Sequence, residues 1–288
     1  MQLRVGGVPE HFNLPWHLAM ESGRLDASGA TVVWSDQPGG TGEMTAALAY
    51  DRLDMIVALT EGLTAAIANG LAARMLRLYT SSPLQWGVHV AGPSPLDAAS
   101  LAGARFAISR FGSGSHLMAH VLADRLGLAI NDDSFVPVGD LDGARQALGG
   151  GTAEVFMWDR FMTSPLVASG EFRRIDVQPT PWPAFTVAVA DRVLARHGRA
   201  GLDAVLDEVA AQAETFVTRP DAVELVAGRY GLELVEAQAW LDVTEFADVP
   251  QIDPTIVVAV EQRLVDLRII DRLAGPAHYL APSTSRPA

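Results

Sequence analysis

Within its first eighty residues the chain switches repeatedly between short β-prone runs and stretches of helical periodicity, and this rhythm constrains the fold more than any single motif. Residues 3–8 predict a strand, 16–22 a helix, 31–35 a strand, 43–50 a helix and 55–59 a strand. A helix ending near Asn69 and a strand over 75–79 follow. Strands that alternate with helices build a parallel sheet covered by those helices, and ligands gather outside the carboxyl ends of its strands. The loops 7–17, 36–43 and 60–63 therefore point to one edge. They carry His11, Asn13, Trp16, His17, Thr41, Thr60 and Glu61 toward a common rim.

A second unit of the same kind begins after the β-prone run 86–91, at Gly92-Pro93-Ser94-Pro95. Its predicted parts are a strand over 134–138, the loop 139–143, a helix to Leu148 closed by Gly149-Gly150-Gly151, and a strand over 154–158. The run 185–190 is purely β-prone and is placed to return the chain to the first unit. Beyond it the pattern is helical over 203–219, 220–230, 234–244 and 254–267, with Asp221 marking a helix start and Tyr230-Gly231 a helix stop. Residues 281–288, with Pro282 and Pro287, read as a frayed tail.

Composition narrows the chemistry. The 288 residues contain no cysteine, and all 21 basic residues are arginine. Disulfides, thiolate nucleophiles, cysteine-ligated metals and lysine Schiff bases are thereby excluded. A net charge of −13 argues against nucleic acid and anionic membrane as partners. The apolar share of 49% supports substantial cores, yet charged residues such as Asp51, Arg52, Asp54, Glu61 and Arg74 interrupt even the Ala/Leu-rich stretch 46–76, so no membrane insertion is expected. The residues Met1 to Gly7 enter a strand pattern at once. This leads to the expectation of a cytoplasmic chain if Met1 is the native start, and of a periplasmic or extracellular one if a leader was removed.

The second unit contains Arg105-Phe106-Ala107-Ile108-Ser109-Arg110-Phe111-Gly112-Ser113-Gly114-Ser115-His116, a strand that runs through a Ser/Gly loop into an apolar-periodic helix. The first N–H groups of such a helix can face a ligand, and Arg110 adds a cation beside them. An ordinary capped helix after a strand has the same outline, with Ser113 or Ser115 as the cap.

Four strings carry a family resemblance: Gly7-Val8-Pro9-Glu10-His11-Phe12-Asn13-Leu14-Pro15, Pro38-Gly39-Gly40-Thr41-Gly42, the stretch from Ile108 to Met118, and Asp140-Leu141-Asp142-Gly143-Ala144-Arg145. They resemble the type II periplasmic-binding-protein superfamily, in its sulfonate, taurine, nitrate and thiamine-pyrimidine-related branch. The resemblance implies an α/β fold of two lobes, each a mainly parallel sheet flanked by helices, joined by two β crossovers. The lobes are expected at 1–88 with 189–288, and at 89–188. The implied role is that of a monomeric solute-binding protein that closes on a small polar or anionic organic ligand and hands it to an ABC-transporter permease. A cytoplasmic enzyme or sensor on the same scaffold is the alternative.

The residues expected to line the site are Glu10, His11, Asn13, Thr41, Thr60 and Glu61 from the first lobe. Ser109, Arg110, Ser113, Ser115, His116, Asp140 and Trp158 are expected from the second. No catalytic residue, metal or cofactor is assigned. His116 and His120 share the spacing of metal ligands on a helix, but no third ligand stands at a characteristic distance, so His116 reads as a hydrogen-bond donor. Glu10 and Glu61 suit acid/base work or, as the preferred reading, capping or pairing with Arg110. Trp16, Trp86, Trp158 and Trp182 suit either packing or stacking on a flat ligand, with Trp158 the favoured stacking residue.

Overall fold

The computed structural model describes residues 1–249 and 251–282; most of the tail expected to fray lies outside these residues. The chain divides into two compact units. The first comprises Met1–Ser82, Trp182–Gly231 and Leu241–Ala288, and the second Pro83–Pro181 with Leu232–Trp240.

The first unit is built on a sheet ordered β2-β1-β3-β10-β4. Its strands are β1 (Gln2–Gly7), β2 (Thr31–Asp36), β3 (Met55–Leu59), β4 (Ala73–Leu78) and β10 (Phe185–Ala190). β1 runs parallel to β2 and β3, with Gly7 opposite Asp36 and Gly6 opposite Ile56. The carboxyl ends of these three strands therefore share one edge. β10 enters antiparallel between β3 and β4. All six of its residues are buried, as expected for a run that is apolar but for Thr186, whereas the edge strand β2 is half exposed along its length.

The second sheet is ordered β7-β6-β8-β5-β9. It contains β5 (Pro83–Ala91), β6 (Phe106–Ile108), β7 (Phe135–Pro137), β8 (Val155–Asp159) and β9 (Phe172–Pro183). β6 is parallel to β7 and β8, and β5 is antiparallel to β8. On one face Ala107, Phe156 and Phe172 pack against Ala144, Ala147 and Leu148 of the helix Leu141–Gly149.

The structure differs from two expectations and adds a strand that was not expected. The unit boundaries fall at 82/83 and 181/182 rather than 88/89 and 188/189, because β5 and β10 each join a sheet as whole strands. The helix Leu234–Leu241 belongs almost entirely to the second unit, where Glu236 lies 3.9 Å from Arg174, instead of remaining with the first. β9 has no counterpart in the sequence reading because Pro179, Pro181 and Pro183 disguise it. Prolines at alternate positions withhold their N–H groups on the same side of a strand, which an edge position tolerates.

Two helices also begin earlier than expected. One spans Gly40–Ala49 and absorbs most of the Pro38–Gly42 turn; the other, Thr60–Ala68, starts directly on the last residue of β3. Among the described residues no helix is long and apolar enough to cross a membrane.

Candidate functional site

At the carboxyl edge of the first sheet the chain leaves β1 close to its own loop. A Cβ at Gly7 would stand 2.6 Å from Asn13 Nδ2 and from the Trp34 ring, so only glycine fits. Asn13 is buried; its Nδ2 donates to the Val8 carbonyl at 2.7 Å, and its Oδ1 has no partner among the described residues. His11 is fully buried, its ring edge-on to Phe12 at 4.8 Å and to Tyr230 at 6.0 Å. Burial depresses its pKa to about 3, so the imidazole is neutral at physiological pH. Glu10 is half-buried beside it.

The threonines expected at this rim hold the scaffold together. Thr41 Oγ1 accepts the Leu59 N–H at 3.2 Å, joining the Gly40–Ala49 helix to the end of β3. Thr60 Oγ1 reaches the Pro183 carbonyl at 2.8 Å and Thr186 Oγ1 at 3.0 Å, joining β3 to the start of β10. Glu61 differs from both. It is 1% exposed, its Oε2 accepts from Trp182 Nε1 at 2.8 Å, and its Oε1 is buried without a partner among the described residues. Desolvation pushes its pKa up to about 7, against the opposing pull of its own backbone N–H and the Trp182 indole.

In the second unit the loop after β6 is wired to itself. The Ser109 N–H donates to Ser115 Oγ at 2.9 Å, Ser113 Oγ and Ser115 Oγ lie 3.0 Å apart, and Ser113 caps the helix Gly114–Leu126 by accepting from the His116 N–H. The Gly112 N–H donates to His116 Nδ1 at 3.1 Å. That bond requires a lone pair on Nδ1, so the neutral ring carries its proton on Nε2. Nε2 is buried and has no partner among the described residues. Burial and the neighbouring His120 lower the His116 pKa to about 4. Phe111 at 5.3 Å, Phe135 at 4.5 Å and His120 at 4.9 Å surround the ring.

Arg110 forms no side-chain hydrogen bond or ion pair among the described residues, and partial desolvation lowers its pKa. The N–H groups of Gly114 and Ser115, the first two of the helix, also have no acceptor among the described residues. The loop thus presents a cation and several donors, and the Ser113 and Ser115 hydroxyls are already engaged within it.

Asp140 and Trp158 occupy structural positions. Asp140 Oδ1 caps the helix Leu141–Gly149 through the Gly143 N–H at 2.9 Å. Trp158 stacks on Phe156 at 5.5 Å, meets Trp86 edge-on at 6.4 Å, and packs half-buried on the second unit's core. Its neighbour Asp159 is buried and accepts the N–H groups of Phe161 and Met162.

The sequence places Tyr230 only at a helix end, not beside His11, and it shows no partner for Trp182. The bond from Trp182 to Glu61 spans 121 residues, and nothing local announces it.

Residues 91–177 match the family model described as Ca3427-like PBP. The structure is similar to that of the Candida albicans CA3427 gene product, described as defining a family with the generic periplasmic binding protein structural fold. The TM-score is 0.87 and the identity 26%, over 95% of this chain and 92% of that one. It is also similar to the alkanesulfonate-binding protein SsuA from Xanthomonas axonopodis pv. citri bound to MOPS, with TM-score 0.78 and 20% identity over 93% of this chain and 94% of that one. The periplasmic aliphatic sulphonate binding protein SsuA from Escherichia coli gives 0.75 and 20%, over 100% and 94%. No curated protein matches the chain in sequence. The chain therefore has the periplasmic-binding-protein fold.

Proposed function

We propose that this chain is a solute-binding protein that captures a small anionic or strongly polar organic molecule, with Arg110 and the start of the helix Gly114–Leu126 holding the anionic end. The observation that carries this reading is the wiring of the 109–116 loop. Ser113 Oγ, Ser115 Oγ and His116 Nδ1 are occupied by the loop's own N–H groups and hydroxyls, whereas a guanidinium, two helix-start N–H groups and the Nε2–H of His116 are donors without a partner among the described residues. Unmatched donors around a cation are the complement of an anion.

The sulfonate-binding names of two structural relatives support the same ligand class. In this reading a transporter permease receives the loaded protein.

Calorimetric titration with MOPS and short alkanesulfonates tests the reading. Binding by the native chain is expected, and Arg110→Ala should weaken it about 10- to 100-fold, as loss of a charge-assisted hydrogen bond does. Unchanged affinity in that variant rejects the assignment of Arg110. Native mass spectrometry of protein purified without dialysis should recover a ligand unchanged; conversion of that ligand on incubation would favour an enzyme instead.

A further inference from the structure

Within the first unit, the amino-terminal edge of the sheet, opposite the edge that carries Asn13, Thr41 and Glu61, holds a polar cavity of about 530 Å³. That volume is in the range of small-molecule sites, about 300–1,000 Å³. Gln2 and Arg4 line the cavity from the start of β1, Asp51 and Asp54 from the turn before β3, and Arg192, Arg196 and His197 from the helix Asp191–Val217.

Part of this cluster is closed on itself. Asp54 accepts from Arg4 Nε at 2.9 Å, Arg4 Nη2 at 2.8 Å and Arg192 Nη1 at 2.6 Å, and Asp51 pairs with Arg192 Nε. Against the desolvation of burial, these guanidiniums hold the Asp54 carboxyl below the usual carboxylate range, so it is ionised. Neither Arg4 nor Arg192 exhausts its guanidinium donors on the bonds it makes.

Arg196 has no such answer. It stands four residues after Arg192 on the same helix face, where like charges repel unless an anion meets them. Asp51 and Asp54 meet Arg192, whereas no group among the described residues pairs with Arg196, and the side chains of His197 and Gln2 also form no hydrogen bond among them. In a chain of net charge −13, this cavity sets three arginines against two carboxylates. Donors that converge from a strand and a helix suit an acceptor with oxygens in several directions, as in a phosphate group, better than a flat carboxylate. A second cavity, of about 260 Å³, shares Asp51 and Arg192 with the first and is otherwise apolar, with Leu48, Leu71 and Ala190 among its walls.

We propose that the polar cavity binds a phosphate group, free or as a monoester, with Arg196, His197 and Gln2 as its contacts and with positive charge lent by Arg4 and Arg192. In a monoester the organic part lies against the apolar cavity. This site belongs to the first unit and is independent of the 109–116 loop, which belongs to the second.

The test is calorimetry on the full chain at pH 7 and low ionic strength, with inorganic phosphate and n-butyl phosphate as probes. The titrations are made in Arg110→Ala, which weakens any phosphate held at the 109–116 loop. Binding is expected to persist there, and adding Arg196→Ala, a change at an exposed side chain, should weaken it at least about tenfold. Tighter binding of n-butyl phosphate assigns the site to an ester, and equal or tighter binding of inorganic phosphate assigns it to the free anion. Absence of binding by both probes in Arg110→Ala overturns the inference, as does binding that Arg196→Ala leaves unchanged. Phosphate binding by the native chain that Arg110→Ala abolishes and Arg196→Ala alone does not lies at the loop; it overturns this inference and leaves the solute-binding reading standing.

Discussion

Glu61 and His116 show how the burial of one polar group ties stability and protonation to pH. An unliganded Glu61 with its pKa raised to about 7 binds a proton more tightly in the folded protein than in the unfolded chain. Its contribution is therefore fully present below about pH 4.5 and is lost as pH rises through 7. Glu61→Gln removes that penalty. The variant should be more stable than the native chain at pH 8, by up to about 3 kcal/mol, and little changed at pH 4, as read from thermal melts at the two pH values. In His116 the Gly112 N–H selects the tautomer, so the ring reaches its surroundings as an Nε2–H donor whatever the pH above about 4.

At the level of elements, bonds distant in sequence decide where segments end. The helix Asp191–Val217 is broken at Gly198, whose φ of 70° and ψ of 164° suit glycine, and this places a turn where the sequence predicts a helix beginning only at Asp203. The short helix Pro276–Tyr279 has no strong pattern of its own, and Glu261 holds it down. The Ala281 N–H then donates to the Met75 carbonyl, so the segment closes the outer edge of β4. Glu261→Ala should free this segment, with faster hydrogen exchange confined to about 274–282 and a loss of roughly 2–4 kcal/mol in denaturant unfolding. Exchange that accelerates evenly throughout the first unit would contradict a local latch.

Across the whole molecule, three buried histidines set the acid limit. His11 in the first unit and His89 and His116 in the second are kept neutral by burial down to about pH 3, 4 and 4. In the unfolded chain each takes up a proton near pH 6.5, so the unfolded state binds more protons below that value. Their stabilising contribution is complete above pH 6.5 and fades as pH falls toward 4. The melting temperature should drop across that interval. His89→Gln, at a site where Thr163 Oγ1 lies 2.9 Å from His89 Nε2, should make the drop shallower, an outcome that circular dichroism melts at pH 7.5 and 5 can check.

Much of this architecture was legible in the residues. β3 is a short apolar run and β10 a β-prone one, and their limits follow from local pattern, as does the parallel edge on which Asn13, Thr41, Thr60 and Glu61 gather. The loop from Ser109 to His116 was also legible as a strand-to-helix turn with a serine cap. The proline-disguised β9 was not, because an edge strand is defined by the neighbour it pairs with and by the side it leaves unpaired. The separate fates of Thr60 and Glu61, adjacent in sequence, were hidden for the same reason. Periodicity reports which residues are buried and on which face, since that depends on neighbours a few positions away. Which buried polar atoms find partners depends on residues such as Trp182, brought together only by the tertiary fold, and Glu61 Oε1 and His116 Nε2 remain without partners among the described residues.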